Sequence, residues 1–281
     1  MKKYLINSLL FSSAFISMLF TSCYKSFDPN SFQPAFTING FTSSTSIESG
    51  SLVAYWAFEG SYIDSISKIA GAGVNTSFTP GIVGQALQGS NTGYVISAIP
   101  NAIKGLGSFT IDFWVNTPQN TAETALISIS DNANFWGALD IFYDNGSSAT
   151  STPFKIHLND ATNSTGDIWL TSWTLPTPWN SWQNIAITYD QSTSKFILYQ
   201  NGTIVGSQTQ AGAGAIAFPT TAGKLIFGTE PFQCTPSLGT AGGTQGWAGY
   251  SAGAMDEVRI YNKALTQTEL QALIILQGKG K

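Results

Sequence analysis

Charge is what this sequence has least of. Asp, Glu, Lys and Arg together make up 10% of its 281 residues. The net charge is −4, and no cluster or stripe of basic residues occurs. An acidic surface without such a patch repels polyanions, so nucleic acid is not an expected partner. Histidine occurs once, at His157, and cysteine twice, at Cys23 and Cys234. Two cysteines suit one disulfide in an oxidising compartment, but the setting of Cys23 points elsewhere. No repeat of fixed period is visible, which excludes a propeller or solenoid. Gly, Ser, Thr and Asn are abundant instead, the composition of a secreted, turn-rich β protein.

Residues 1–22 have the form of a signal peptide: Lys2-Lys3, then an apolar run from Leu5 to Phe20. The competing reading, an uncleaved membrane helix, is disfavoured by Asn7, Ser8, Ser12, Ser13 and Ser17 within that run. Phe20-Thr21-Ser22-Cys23 resembles the bacterial lipobox, in the looser form of Bacteroidetes-type lipoproteins. That resemblance implies that Cys23 becomes an acylated mature N-terminus, and several acyl chains anchor a protein stably. By analogy with sorting rules, Tyr24 in place of Asp favours the outer membrane, with its periplasmic or cell-surface face left open. Cys234 would then be a lone, packed thiol. Residues 23–50, with Pro29, Pro34 and many Ser and Thr, read as a tether. Phe27, Phe32, Phe36 and Phe41 are more aromatic than a free linker needs, so packing of part of it on the domain stays open.

The domain is expected over residues 51–277. Short strands follow one another: Leu52 to Phe58, a bend and strand in Thr79 to Leu87, Phe109 to Val115, Ala125 to Ser130, Ala138 to Tyr143 and Phe154 to Leu158. Trp182 to Tyr189, Lys195 to Gln200, Thr203 to Ser207, Lys224 to Gly228 and Ala254 to Tyr261 complete the set. Asn201-Gly202 suits a tight type I′ hairpin, because both residues tolerate positive φ. About a dozen strands with one helical turn at the end predict an all-β sandwich.

The most informative stretch is Gly253 to Leu270. Its two-residue period predicts a strand with Asp256, Val258 and Ile260 on one face and Glu257, Arg259 and Tyr261 on the other. Thr266 and Glu269 then form a capping box opening a helix. A carboxylate in an inward row costs several kcal/mol unless a cation or donors meet it. This run resembles the closing strand and short helix of laminin-G-like domains in the concanavalin-A-like lectin and glucanase superfamily. Tyr55-Trp56-Ala57-Phe58-Glu59-Gly60, Pro80 to Leu87, Ser108 to Ile111, Trp182 to Ala186 and Tyr199 to Gly202 support the resemblance in order. It implies a concanavalin-A-like jelly roll of two antiparallel sheets with a short C-terminal helix, over about residues 51–276.

The superfamily's glucanases carry Glu-x-Asp-x-Glu on one strand, with carboxyls about 5 Å apart on one face. The nearest string here centres on Asp140, flanked by Ala138 and Phe142, so both catalytic acids are missing. Asp256 and Glu257, as strand neighbours, are expected on opposite faces. His157 lacks a nucleophile signature around it and reads as a solvated strand position beside Lys155. No catalytic residue is expected.

Related domains hold a structural calcium between the first-strand loop and the last strand. The resemblance places its ligands at Asp64 and Asp256, with Glu59 as a third, and hard oxygen donors suit Ca2+. Ser65-Ile66-Ser67-Lys68 departs from the usual string after the first aspartate. The alternative is that Asp64 caps a turn and Asp256 pairs with Arg259 or Lys68. For a ligand surface, Trp136, Asp144, Asp167, Trp169, Trp173 and Trp247 combine stacking rings with hydroxyl-binding carboxylates. Strand alternation would put Asp167, Trp169, Thr171 and Trp173 on one face, while core filling is the competing reading for each tryptophan. The expected protein is a monomeric, non-catalytic envelope lipoprotein binding a glycan or glycoprotein. The alternatives are an adhesive module for protein partners and a divergent glycoside hydrolase.

Overall fold

The computed structural model describes residues 36–162 and 166–281. The leader, Cys23 and Asn163 lie outside the described residues. Thr37–Lys281 forms one compact unit. Its strands are β1 (Leu52–Trp56), β2 (Ala72–Val74), β3 (Ser77–Pro80), β4 (Gln85–Gln88), β5 (Tyr94–Ala98), β6 (Phe109–Asn116), β7 (Thr124–Asp131) and β8 (Leu139–Tyr143). They continue as β9 (Ser151–Asn159), β10 (Asp167–Pro176), β11 (Gln183–Asp190), β12 (Lys195–Gln200), β13 (Thr203–Thr209), β14 (Ala222–Phe227) and β15 (Ala254–Tyr261). One helix, α1 (Gln267–Gln277), closes the chain.

Two antiparallel sheets pack face to face. One runs β13-β12-β11-β6-β15-β4-β3 with β1 also paired to β15; the other runs β10-β9-β8-β7-β14-β5-β2. The expected jelly-roll sandwich is what the chain forms. Inward rows follow the period-two pattern. Phe109, Ile111, Phe113 and Val115 of β6 meet Ile127, Ile129, Ile141, Ile156 and Leu225 of the opposite sheet in one core. Each such side chain contributes roughly 1.5–3 kcal/mol on burial. Asn201 and Gly202 both take positive φ, 51° and 72°, as the β12–β13 hairpin demands.

Two β-bulges change which side chains face where. In β15 the register against β6 slips between Asp256 and Arg259, and Glu257 adopts φ 54°. The extra residue leaves Met255, Val258 and Ile260 in the core. Glu257 and Arg259 lie on the outer face beneath α1, both 1% exposed. Thr266 caps that helix in the expected capping box. In β10 the register slips between Leu170 and Trp173. Trp173 therefore turns inward, 4% exposed, and does not share a face with Asp167 and Trp169. Strict alternation fails there because Thr171 and Ser172 together occupy one step of the ladder.

The segment from residue 37 packs on this domain. Ile47 joins Ala272, Leu273 and Leu276 of α1 in a small apolar cluster. Ser44 accepts a hydrogen bond from Arg259 Nη1 at 3.0 Å through its carbonyl. Arg259 also binds Glu257 at 2.7 Å and lies 4.5 Å over the Tyr55 ring. Tyr55 and Gln277 donate to the two Glu257 oxygens, at 2.6 and 3.0 Å, and Trp114 donates to Gln277 at 2.8 Å. Breaking a buried pair on one side leaves an uncompensated charge. Arg259→Ala is therefore expected to cost about 3–5 kcal/mol in urea unfolding. Arg259→Met combined with Glu257→Gln, which leaves no orphan charge, should recover more than half of that loss.

Candidate functional site

The outer face of the seven-stranded sheet carries the chemistry. β8 and β9 alternate so that Ile141, Ile156 and Leu158 enter the core. Asp140, Phe142, Lys155 and His157 are left on the other face. The crossing from β14 to β15, Gly228 to Gly253, folds back over this face and brings Phe232 and Trp247 onto it. Trp136 is the hub of the resulting aromatic cluster. It stacks on Phe142 at 5.7 Å between centroids, meets Trp169 edge-on at 5.2 Å and approaches Trp247 at 5.8 Å. Phe135 and Phe232 complete it. Trp247 is 47% exposed, so one face of a large ring is offered to solvent.

Trp247 borders a cavity of about 400 Å³ with Thr121, Ala122, Glu123, Asp144, Asn145 and Gly246. Asp144 at its rim forms an ion pair with Lys155. Of the residues expected to bind ligand, the structure thus brings together Trp247 and Asp144 at the cavity, with Trp136 and Trp169 in the aromatic layer behind. Asp167 is exposed beside His157, 3.3 Å from its Nε2. Trp173 is core and takes no part.

Beneath this layer lies a group the sequence pattern did not reveal. Glu123, Glu230 and Asp140 are 5%, 0% and 0% exposed. The Glu230 carboxyl lies near those of Glu123 and Asp140 and accepts from the Ser128 hydroxyl at 3.2 Å. Carboxyls crowded in a buried site do not all ionise. Burial, first, and the neighbouring carboxyls, second, push Glu230 well above the usual range. Burial likewise pushes Glu123 up to about 8, with the Glu230 contact opposing it. Glu123 and Glu230 are 107 positions apart by numbering, which no local motif reports. His157, expected on a solvated face, is instead 1% exposed and bonds Asp140 through Nδ1 at 2.9 Å. Burial alone would lower its pKa; the bond to Asp140 and the charges of Asp140 and Asp167 outweigh it and raise it. Asp140 also accepts from Gly137 N–H at 2.8 Å, and a Cβ at Gly137 would collide with its carboxyl.

The expected calcium ligands do not converge. Asp64 accepts from the backbone N–H groups of Tyr55, Ile66 and Ser67, at 2.8, 3.0 and 3.0 Å, and from the Ser67 hydroxyl. Asp256 accepts from Ile82 and Val83 N–H at 2.8 and 3.1 Å and from Glu257 N–H at 2.8 Å. Glu59 accepts from Gln85 N–H at 3.0 Å. Asp64 and Asp256 each face several donors, a setting that favours a carboxylate anion, while Glu59 is exposed and meets one. No group of three His, Cys, Asp or Glu among the described residues is arranged to hold a metal ion. The turn around Gly81 and Gly84 is shaped around two of these carboxylates. A Cβ at Gly81 would strike Asp256, and one at Gly84, φ 56°, would strike Glu59. Burial, opposed by its backbone donors, raises Asp256 to about 7.

The fold and site define a lectin-type jelly roll. A model of the concanavalin A-like lectin/glucanases superfamily matches residues 89–271, and the chain belongs to that family. Among solved structures, the binding domain of Paraclostridial Mosquitocidal Protein 1 is 18% identical, with a TM-score of 0.58 over 80% of this chain and 52% of that one. Domain 4 of AbnA, a GH43 extracellular arabinanase from Geobacillus stearothermophilus, in complex with arabinotriose, is 17% identical, with a TM-score of 0.55 over 79% of this chain and 98% of that one. The binding domain of Botulinum Neurotoxin DC in complex with SialylT is 15% identical, with a TM-score of 0.56 over 83% and 52%. The chain thus spans about half the length of the two toxin binding domains. Among curated proteins, no sequence relative matches it.

Glu123 binds its proton more tightly when folded than when unfolded. The stability this contributes is complete below the ordinary value of 4.5 and is lost as pH rises toward about 8. The melting temperature is expected to fall across that window. In Glu123→Gln, which mimics the protonated acid, the fall should be visibly shallower; an unchanged slope would remove Glu123 from the account.

Proposed function

We propose that this chain is a non-catalytic glycan-binding module of a lipid-anchored envelope protein. The observation that carries the reading is Trp247, half exposed over a cavity that also presents Asp144 and Asn145. A flat aromatic face takes the C–H side of a sugar ring, while the amide and carboxylate bind its hydroxyls. Support comes from two matched structures of the same fold, one determined in complex with arabinotriose and one in complex with SialylT. Catalysis is not part of the reading. Asp140 stands without acid partners at the Ala138 and Phe142 positions, and the Glu123 and Glu230 carboxyls are buried under the aromatic layer. Anchoring is assigned to Cys23 by the lipobox, with the outer membrane as its place and the domain acting as a monomer.

Glycan arrays followed by calorimetry test the binding. Trp247→Ala should weaken the strongest saccharide ligand about tenfold or more, as truncation of a stacking tryptophan at a binding centre does. Polysaccharide cleavage by the wild-type protein would replace this reading with the glycosidase one. Metabolic labelling with palmitate should mark the wild-type chain and not Cys23→Ser; equal labelling would end the anchoring assignment.

A further inference from the structure

A second cavity, of about 440 Å³, adjoins the first and shares Thr121 with it. The two are separated by the paired stretches 121–124 and 246–249. These are tied by Glu123 N–H to Trp247 carbonyl at 3.1 Å and Gly249 N–H to Glu123 carbonyl at 2.7 Å. Glu123 and Trp247 line the first cavity; Thr124 and Gly249 line the second.

Its lining has two features. Asn91, Gln119, Asn120 and Tyr250 contribute to it, and no Asp, Glu, Lys or Arg does. Thr117, Thr124 and Tyr143 also line it, with their hydroxyls set just behind its wall, on residues only 4%, 2% and 1% exposed. None of the three hydroxyls meets a hydrogen-bond partner in the described structure. Thr117 is near enough to Tyr143 to offset slightly the effect of burial on its phenol, which is raised. A buried hydroxyl left unpaired is costly, and each can both donate and accept. Three of them lie together behind the wall of one uncharged cavity.

We infer that this cavity is a second saccharide subsite, taking one uncharged sugar residue. A neutral sugar supplies hydroxyls that donate and accept, matching the Thr117, Thr124 and Tyr143 set. Its apolar ring edge suits Pro118 and Tyr250, which also line the cavity. A sialic or uronic acid would bring a carboxylate with no cation to meet it. The inference deepens the glycan-binding reading and rests on it, but it depends on different residues.

The test uses the full chain carrying Cys23→Ser, titrated with arabinotriose and with cellotriose and followed by amide NMR. The expected result is movement of the Asn120, Gly249 and Ser251 signals that persists in Trp247→Ala. Thr124→Val with Tyr143→Phe should weaken that response roughly tenfold, the loss of a buried hydrogen bond to ligand. The same pair should melt no lower than the parent, since it removes hydroxyls that lack partners. Signals moving only at Trp247 and Asn145 overturn the second subsite and leave the glycan-binding reading standing, as does an unchanged affinity in the hydroxyl variant. No movement anywhere with either sugar overturns both.

Discussion

The buried pair of Arg259 and Glu257 is the interaction on which the arrangement of this domain depends. It sits on the outer face of the eight-stranded sheet and gathers four separate parts of the chain: Ser44, Tyr55 of β1, the closing strand itself, and Gln277 of α1. A buried ion pair is weak evidence for stability in itself, because desolvation offsets its attraction. Here both ions are also met by hydrogen bonds and by the Tyr55 ring, so few alternative arrangements satisfy them. Alternation alone puts Glu257 and Arg259 on the outer face, and the bulge at Glu257 brings Met255 instead of Asp256 into the core row of Val258 and Ile260.

The opposite sheet solves its polar problem differently. Glu123 and Glu230 have no arginine or lysine beside them, so burial pushes both carboxyls toward their protonated forms. His157 and Gly137 N–H reach Asp140, and the Ser128 hydroxyl donates to Glu230. An aromatic layer then seals the group from water, and the last ring of that layer, Trp247, is left half exposed. One loop, Gly228 to Gly253, thus buries the acids, supplies the exposed ring and walls two cavities. The glycan-binding reading and the hydroxyl-lined subsite are both consequences of where that loop lies.

How much was legible beforehand varies with the range of the interaction. The strands of β6, β12 and β15, the Asn201-Gly202 hairpin and the Thr266–Glu269 cap were readable because their signals lie within a few residues. The short strands β2, β3 and β5 are absent from the sequence reading. β2 is exposed throughout, with Gly73 at its middle and Gly71 just before it, which leaves no period to read. Residue type was enough to single out Trp247 and Asp144, which line one cavity, while Trp173 turns to the other face because a bulge leaves no mark in local alternation.

By itself the sequence determined the fold class, because alternating apolar residues can be buried in few ways other than two stacked sheets. It also determined the family, through short strings that recur in order. Only the tertiary structure decided the partners of each carboxylate. Asp64 caps its own turn at Ile66 and Ser67, whereas Asp256 is met by the Ile82 and Val83 N–H groups, and Glu123 is brought near Glu230, by loops that close over long separations. Such contacts depend on where two distant turns come to rest, and nothing within reach of either residue along the chain encodes that position.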